Sequence, residues 1–111
     1  MKNIHIIKIP PNSGSPEPLV WVAILNNECI GHVRLSIEHN KIKYHDAWVH
    51  PDHRRQGIYT LLWETRDQYA RQHFAGQKSY AWCKKGSLPV YIKKGYTQGE
   101  SCIYVEKKLE L

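Results

Sequence analysis

The chain has 111 residues, 41% of them hydrophobic and 23% charged. That is ordinary globular usage with enough apolar material for one core, so disordered and fibrous classes are excluded and a single domain over residues 1–111 is expected. Sixteen Lys and Arg against ten Asp and Glu give a formal charge of +6, which suits a phosphate-rich cofactor, an acidic protein or a nucleic acid, and equally a solvated basic surface.

The longest apolar run, residues 19–25, is too short to cross a bilayer, and the N-terminus lacks the apolar block of a signal peptide. No membrane partner and a cytoplasmic location are therefore expected. Cys29, Cys83 and Cys102 are odd in number and form no Cys-x-x-Cys pair, which argues against a disulfide framework or a zinc ribbon and for buried free thiols.

Residues 3–9 alternate as a first strand, and the proline-rich stretch 10–18 stops any regular element. Residues 19–25 are apolar on both faces and suit a buried strand, Asn26-Asn27 reads as a turn, and residues 29–38 form a second alternating strand. After a polar turn at His39-Asn40-Lys41, residues 42–49 alternate again. A regular strand there puts Lys43, His45, Ala47 and Val49 on one face and Tyr44, Asp46 and Trp48 on the other.

Pro51 ends that strand, and from Gln56 onward Ile58, Leu61, Leu62, Thr65 and Tyr69 recur at helical spacing until Gly76. Trp63 lies off this stripe, where it marks either a partner surface or packing against a flanking strand. A strand over residues 78–83, a short helix between Ser87 and Gly95, and a last strand over 101–109 complete the order β-β-β-β-α-β-α-β. The implied architecture is an α+β domain with helices on a mixed, mainly antiparallel sheet.

Chemistry concentrates between Val49 and Ile58, where the chain leaves a strand, turns through Pro51, gathers Arg54 and Arg55, and enters a helix at Gly57. Free N–H groups and the positive end of the helix dipole bind phosphate oxygens, and a glycine lets the backbone approach them. Neither Gly-x-Gly-x-x-Gly nor a P-loop pattern occurs. His50-x-x-His53 has no third ligand nearby in sequence, so no metal site is expected.

The segment Val49-x-Pro51-x-x-Arg54-Arg55-Gln56-Gly57-Ile58 resembles the central motif of the GNAT superfamily of acyl-coenzyme A-dependent N-acyltransferases, whose pattern Gln/Arg-x-x-Gly-x-Gly/Ala falls on Arg54, Gly57 and Tyr59. A second segment, Val90-Tyr91-Ile92-Lys93-Lys94-Gly95-Tyr96, is similar to its aromatic-Tyr-x-x-x-Gly-aromatic pattern, and Val105-Glu106-Lys107-Lys108-Leu109 to its usual last strand. The resemblance runs from Leu19 to Leu109 in the family's order.

The resemblance implies that acetyl-coenzyme A is the co-substrate, with Trp48, Val49, Arg54, Arg55, Gln56, Gly57, Ile58, Tyr59 and Thr60 contacting it. It implies direct attack of an acceptor amine on the thioester, with Tyr91 protonating the leaving thiolate. An amine near pKa 10.4 must lose a proton first. Lys43 stands where relatives often carry a glutamate, so His45 is the first candidate base and Asp46 the second. His45 as a partly exposed strand histidine and Tyr91 as a core aromatic are the competing readings.

Three departures stand out. Tyr59 replaces a small residue, Lys84 and Ser87 replace the usual Asn and Ala, and the segment 10–18 replaces the helices that normally wall the acceptor site. The last implies an open site suited to a protein or peptide amine. A non-catalytic interaction module that keeps the fold, and a basic nucleic-acid-binding domain supported by charge alone, are the alternatives. The oligomeric state is not legible.

Overall fold

Strand alternation and two short loops organise the first half of the fold. A computed structural model describes residues 3–10, 18–38, 40–99 and 104–111. Strands β1 (His5–Ile9), β2 (Leu19–Leu25) and β3 (Glu28–Glu38) pair antiparallel in sequence order. Asn26 and Asn27 both adopt positive φ, 51° and 64°, the conformation that a tight two-residue hairpin demands and that Asn tolerates.

The expected strand over residues 42–49 is broken. It is divided into β4 (Lys41–Tyr44) and β5 (Trp48–Val49), both antiparallel to β3. Tyr44 pairs with Leu35 and Trp48 with His32, so residues 45–47 lie opposite only 33 and 34. The extra residue is a bulge, and it reverses the alternation. Tyr44 and Val49, expected on opposite faces, are both buried, while Trp48 is exposed. Gly31 permits this packing: a Cβ there would lie 2.8 Å from the Trp48 carbonyl oxygen and 3.1 Å from Leu62 Cδ1.

A single 3-10 turn (Pro51–His53) leads to α1 (Ile58–His73), followed by β6 (Lys78–Trp82), α2 (Leu88–Lys93), β7 (Thr97–Gln98) and β8 (Tyr104–Lys108). The short β7, paired with β8, was not expected from the sequence. The sheet order is β1-β2-β3-β4-β6-β8-β7, with β5 on β3. Only β4 and β6 pair in parallel among the described strands, and their pairing ends at Lys43 and Tyr80. Beyond that point β5 stays with β3, and the sheet opens.

Helix α1 buries Ile58, Leu62, Trp63, Arg66, Asp67 and Ala70. The stripe is thus rotated from the expected one, and Trp63 is a core residue rather than a partner surface, 1% exposed. Its ring meets Tyr44, Tyr91 and Tyr96 edge-on at centroid distances of 5.7, 5.5 and 6.4 Å. Burying such an aromatic contributes about 2–3 kcal/mol. Cys83 is buried as expected, whereas Cys29 is exposed. Residues 11–17 of the proline-rich stretch, His39, Cys102 and the expected strand start at 101–103 lie outside the described residues.

Candidate functional site

The opening between β5 and β6 is a cleft of about 450 Å³ lined by Asp46, Ala47, Trp48 and Val49 on one side, the turn and first residues of α1 on another, and Lys84 and Ser87 on a third. The bulge after Tyr44 creates it, because it leaves the backbone of the 46–48 segment unpaired on the side facing β6. An extended chain laid along that edge could supply the missing ladder partners.

Arg55 and Gly57 both adopt positive φ, 63° and 81°. Glycine takes this conformation freely, while for Arg55 it costs about 1 kcal/mol, a cost the turn sustains in order to wrap the backbone toward the cleft. Arg54 Nε donates to the Val49 carbonyl at 2.9 Å and ties the turn to β5. No side chain caps α1 and no acidic residue sits in its first turn; its first intrahelical bond is Leu61 N–H to the Gly57 carbonyl. The preceding N–H groups carry a partial positive charge that no acidic side chain of the first turn neutralises. Arg54, Arg55 and Lys84 line the same cleft, an arrangement whose charge can attract an anion.

Of the residues expected to contact a coenzyme, Trp48, Val49, Arg54, Arg55, Gly57, Ile58, Tyr59 and Thr60 line this one cleft, whereas Gln56 does not. The candidate proton-transfer groups are divided. His45 turns away from the cleft and shares a 2.6 Å hydrogen bond with Ser36 Oγ. Burial, then the charges of Arg34, Lys43 and Arg66, push its pKa down to about 4, so it is a weak base at neutral pH. Asp46, which a regular strand would point away from His45's face, lines the cleft and accepts a 3.2 Å hydrogen bond from Ser87 Oγ.

Tyr91 is fully buried and does not line the cleft. Its hydroxyl accepts from Arg66 Nη2 at 3.4 Å, and burial raises its pKa. The tyrosine that does reach the cleft is Tyr59, whose pKa is pushed up to about 12, chiefly by burial.

Sequence reasoning missed Arg66. Its guanidinium is fully buried, donates to the Arg34 and His45 carbonyls at 3.2 and 2.5 Å, and lies over the Tyr44 ring at 4.3 Å. The signal was available: Arg66 stands midway between Leu62 and Ala70, four residues from each, on the buried stripe. Neighbouring Asp67 accepts from the Tyr44 hydroxyl at 2.7 Å and pairs with Arg71 at 3.3 Å.

Among the described residues no group of three or more His, Cys, Asp or Glu is placed to hold a metal ion. His50 Nδ1 instead accepts from the Asp52 N–H at 3.1 Å. No described helix is long and apolar enough to cross a membrane.

Residues 5–96 match the model of the acetyltransferase (GNAT) family. No curated protein matches in sequence. Among solved structures, a GNAT family acetyltransferase from Elizabethkingia anophelis with acetyl-CoA bound superposes with a TM-score of 0.76 at 18% identity, covering 98% of this chain and all of that one. PaiA N-acetyltransferase from Thermoplasma acidophilum in complex with coenzyme A gives 0.66 at 18% identity over 82% of this chain, which spans 60% of that protein. The ribosomal-protein-S18-alanine N-acetyltransferase from Escherichia coli gives 0.72 at 14% identity over 90% of this chain and 74% of that one.

Proposed function

The chain belongs to the acetyltransferase (GNAT) family, whose enzymes use acetyl-coenzyme A as co-substrate, and on that premise we propose that it moves an acetyl group from acetyl-coenzyme A to the amine of a protein or peptide. The observation that carries this reading is the uncapped start of α1 sharing one cleft with Arg54, Arg55 and Lys84. The pyrophosphate would take the free N–H groups around Gly57, and the pantetheine arm would lie along the unpaired edge of residues 46–48. Bound structures of similar fold, one with acetyl-CoA and one with coenzyme A, support that placement.

The acceptor amine attacks the thioester carbon directly. Cys83 is a poor alternative acyl carrier, because burial and the nearby Asp46 charge raise its pKa and keep it protonated. Asp46 is the proton acceptor best supported by geometry, since it lines the cleft while His45 is committed to Ser36.

The short β1–β2 connection and the exposure of Trp48 support a macromolecular acceptor. Only residues 10–18 separate β1 from β2, and Trp48 at the cleft is 38% exposed, stacked on His32 at 5.5 Å. The neighbour from Escherichia coli acts on a ribosomal-protein alanine by its name, which supports the same class. A single domain over residues 1–111 and a cytoplasmic location belong to this reading.

Acetyl transfer from acetyl-coenzyme A to a peptide library, compared with polyamines and aminoglycosides, tests it. Transfer to peptides is expected. Efficient acetylation of the small amines with peptides untouched would overturn the acceptor assignment. Thioester binding without transfer to any amine would leave a non-catalytic module.

A further inference from the structure

Tyr59 departs from the small residue of the motif, and its surroundings give that departure a use. Its amide belongs to the anion-binding turn, while its ring reaches across the cleft toward Ser87 of the α2 entry. The Tyr59 hydroxyl is shielded from solvent and has no hydrogen-bond partner of good geometry, although Ser87 is close enough to act on it. A shielded hydroxyl without a partner costs about 1–3 kcal/mol, and one held in a ligand cleft gains its partner from the ligand. Ser87 in turn donates to Asp46 at 3.2 Å. Tyr91, by contrast, is wholly interior and already engaged with Arg66.

We propose that Tyr59, not Tyr91, is the proton donor to the departing coenzyme sulfur, and that Ser87 links it to Asp46. This rests on the coenzyme site described above. The amine nitrogen attacks the thioester carbonyl carbon and forms the N–C bond; the C–S bond then breaks, and its electron pair goes to sulfur. The proton lost by nitrogen passes to the Asp46 carboxylate. Asp46 returns it to the Ser87 oxygen as Ser87 passes its own proton to Tyr59, and Tyr59 gives its phenolic proton to the sulfur. The products are the N-acetylated amine and the coenzyme A thiol, with no net proton released. A tyrosine whose pKa stands near 12 remains protonated between turnovers, so its phenolic proton is present when the C–S bond breaks.

Calorimetry with coenzyme A and desulfo-coenzyme A tests this without knowledge of the acceptor. The unmodified protein should bind coenzyme A about fivefold more tightly than the desulfo compound, the value of one hydrogen bond, and the ratio should rise at alkaline pH as the thiol ionises. Tyr59→Phe should bring the ratio to one, and Tyr91→Phe should keep the ratio. A ratio of one in the unmodified protein at every pH, or loss of the preference in Tyr91→Phe but not Tyr59→Phe, would overturn the assignment alone. Failure of both ligands to bind would overturn the coenzyme site itself.

Discussion

Arg66 Nη1 donates to the His45 carbonyl oxygen at 2.5 Å, placing a buried guanidinium from α1 directly against the bulge that separates β4 from β5. The bulge frees a carbonyl from the strand ladder, and Arg66 satisfies it together with that of Arg34. The His45 carbonyl therefore stays paired although the ladder is interrupted, while the backbone of residues 46–48 keeps its open edge toward β6.

Arg66→Met keeps most of the stem volume but leaves the His45 carbonyl without this donor and removes one of two donors to the Arg34 carbonyl, which also accepts from the His45 N–H at 3.2 Å. We expect a loss of about 2–4 kcal/mol in urea unfolding, with weaker acetyl-coenzyme A binding because residues 46–48 depend on the bulge. Stability unchanged within about 0.5 kcal/mol would show that the guanidinium does not support the bulge.

Gly57→Ala places a Cβ on a residue with φ of 81°. The strain is about 1–2 kcal/mol, so a modest fall in melting temperature is expected. Reshaping the turn should weaken acetyl-coenzyme A binding about tenfold or more. Unaltered affinity would mean that the Gly57 turn does not hold the pyrophosphate.

Gly31→Ala tests the packing that sets the cleft. The added Cβ would stand 2.8 Å from backbone, the Trp48 carbonyl oxygen, which cannot yield as a flexible side chain can. A destabilisation of about 1–3 kcal/mol is expected by thermal or chemical unfolding.

His45 gives a pH dependence with a definite sign. Its pKa falls from 6.5 unfolded to about 4 folded, so the unfolded state binds more protons between those values. Stability is intact above about pH 6.5, declines as pH falls toward 4, and suffers no further loss from this group below that. His45→Gln should flatten this limb relative to the unmodified protein. An unchanged difference in melting temperature between pH 7 and pH 4.5 would remove His45 as its source.

Much of this architecture is legible in the sequence because it is written in local pattern. Alternation marks the strands, and the Asn26-Asn27 turn declares its positive φ. The run from Arg54 to Thr60 marks a basic, glycine-entered helix start, and all of it but Gln56 lines the cleft. The bulge is not legible, since residues 42–49 alternate without interruption and the extra residue is defined only by pairing with β3. From that single slip follow the misplaced faces of Trp48 and Val49. Arg66 was missed, and Trp63 was left between a partner surface and packing, for another reason: a charged residue and a large ring on a rotated helical stripe are buried by tertiary partners, Tyr44, Tyr91 and Tyr96, that lie far away in sequence.

Calorimetric titration of the full chain with acetyl-coenzyme A, repeated after Arg54 and Arg55 are replaced by Ala, tests the central claim most directly. We expect one binding site whose affinity falls with rising salt and drops about tenfold or more in the doubly substituted protein. No binding heat at any salt concentration, or binding indifferent to both arginines and to Gly57→Ala, would contradict the placement of the coenzyme on this turn.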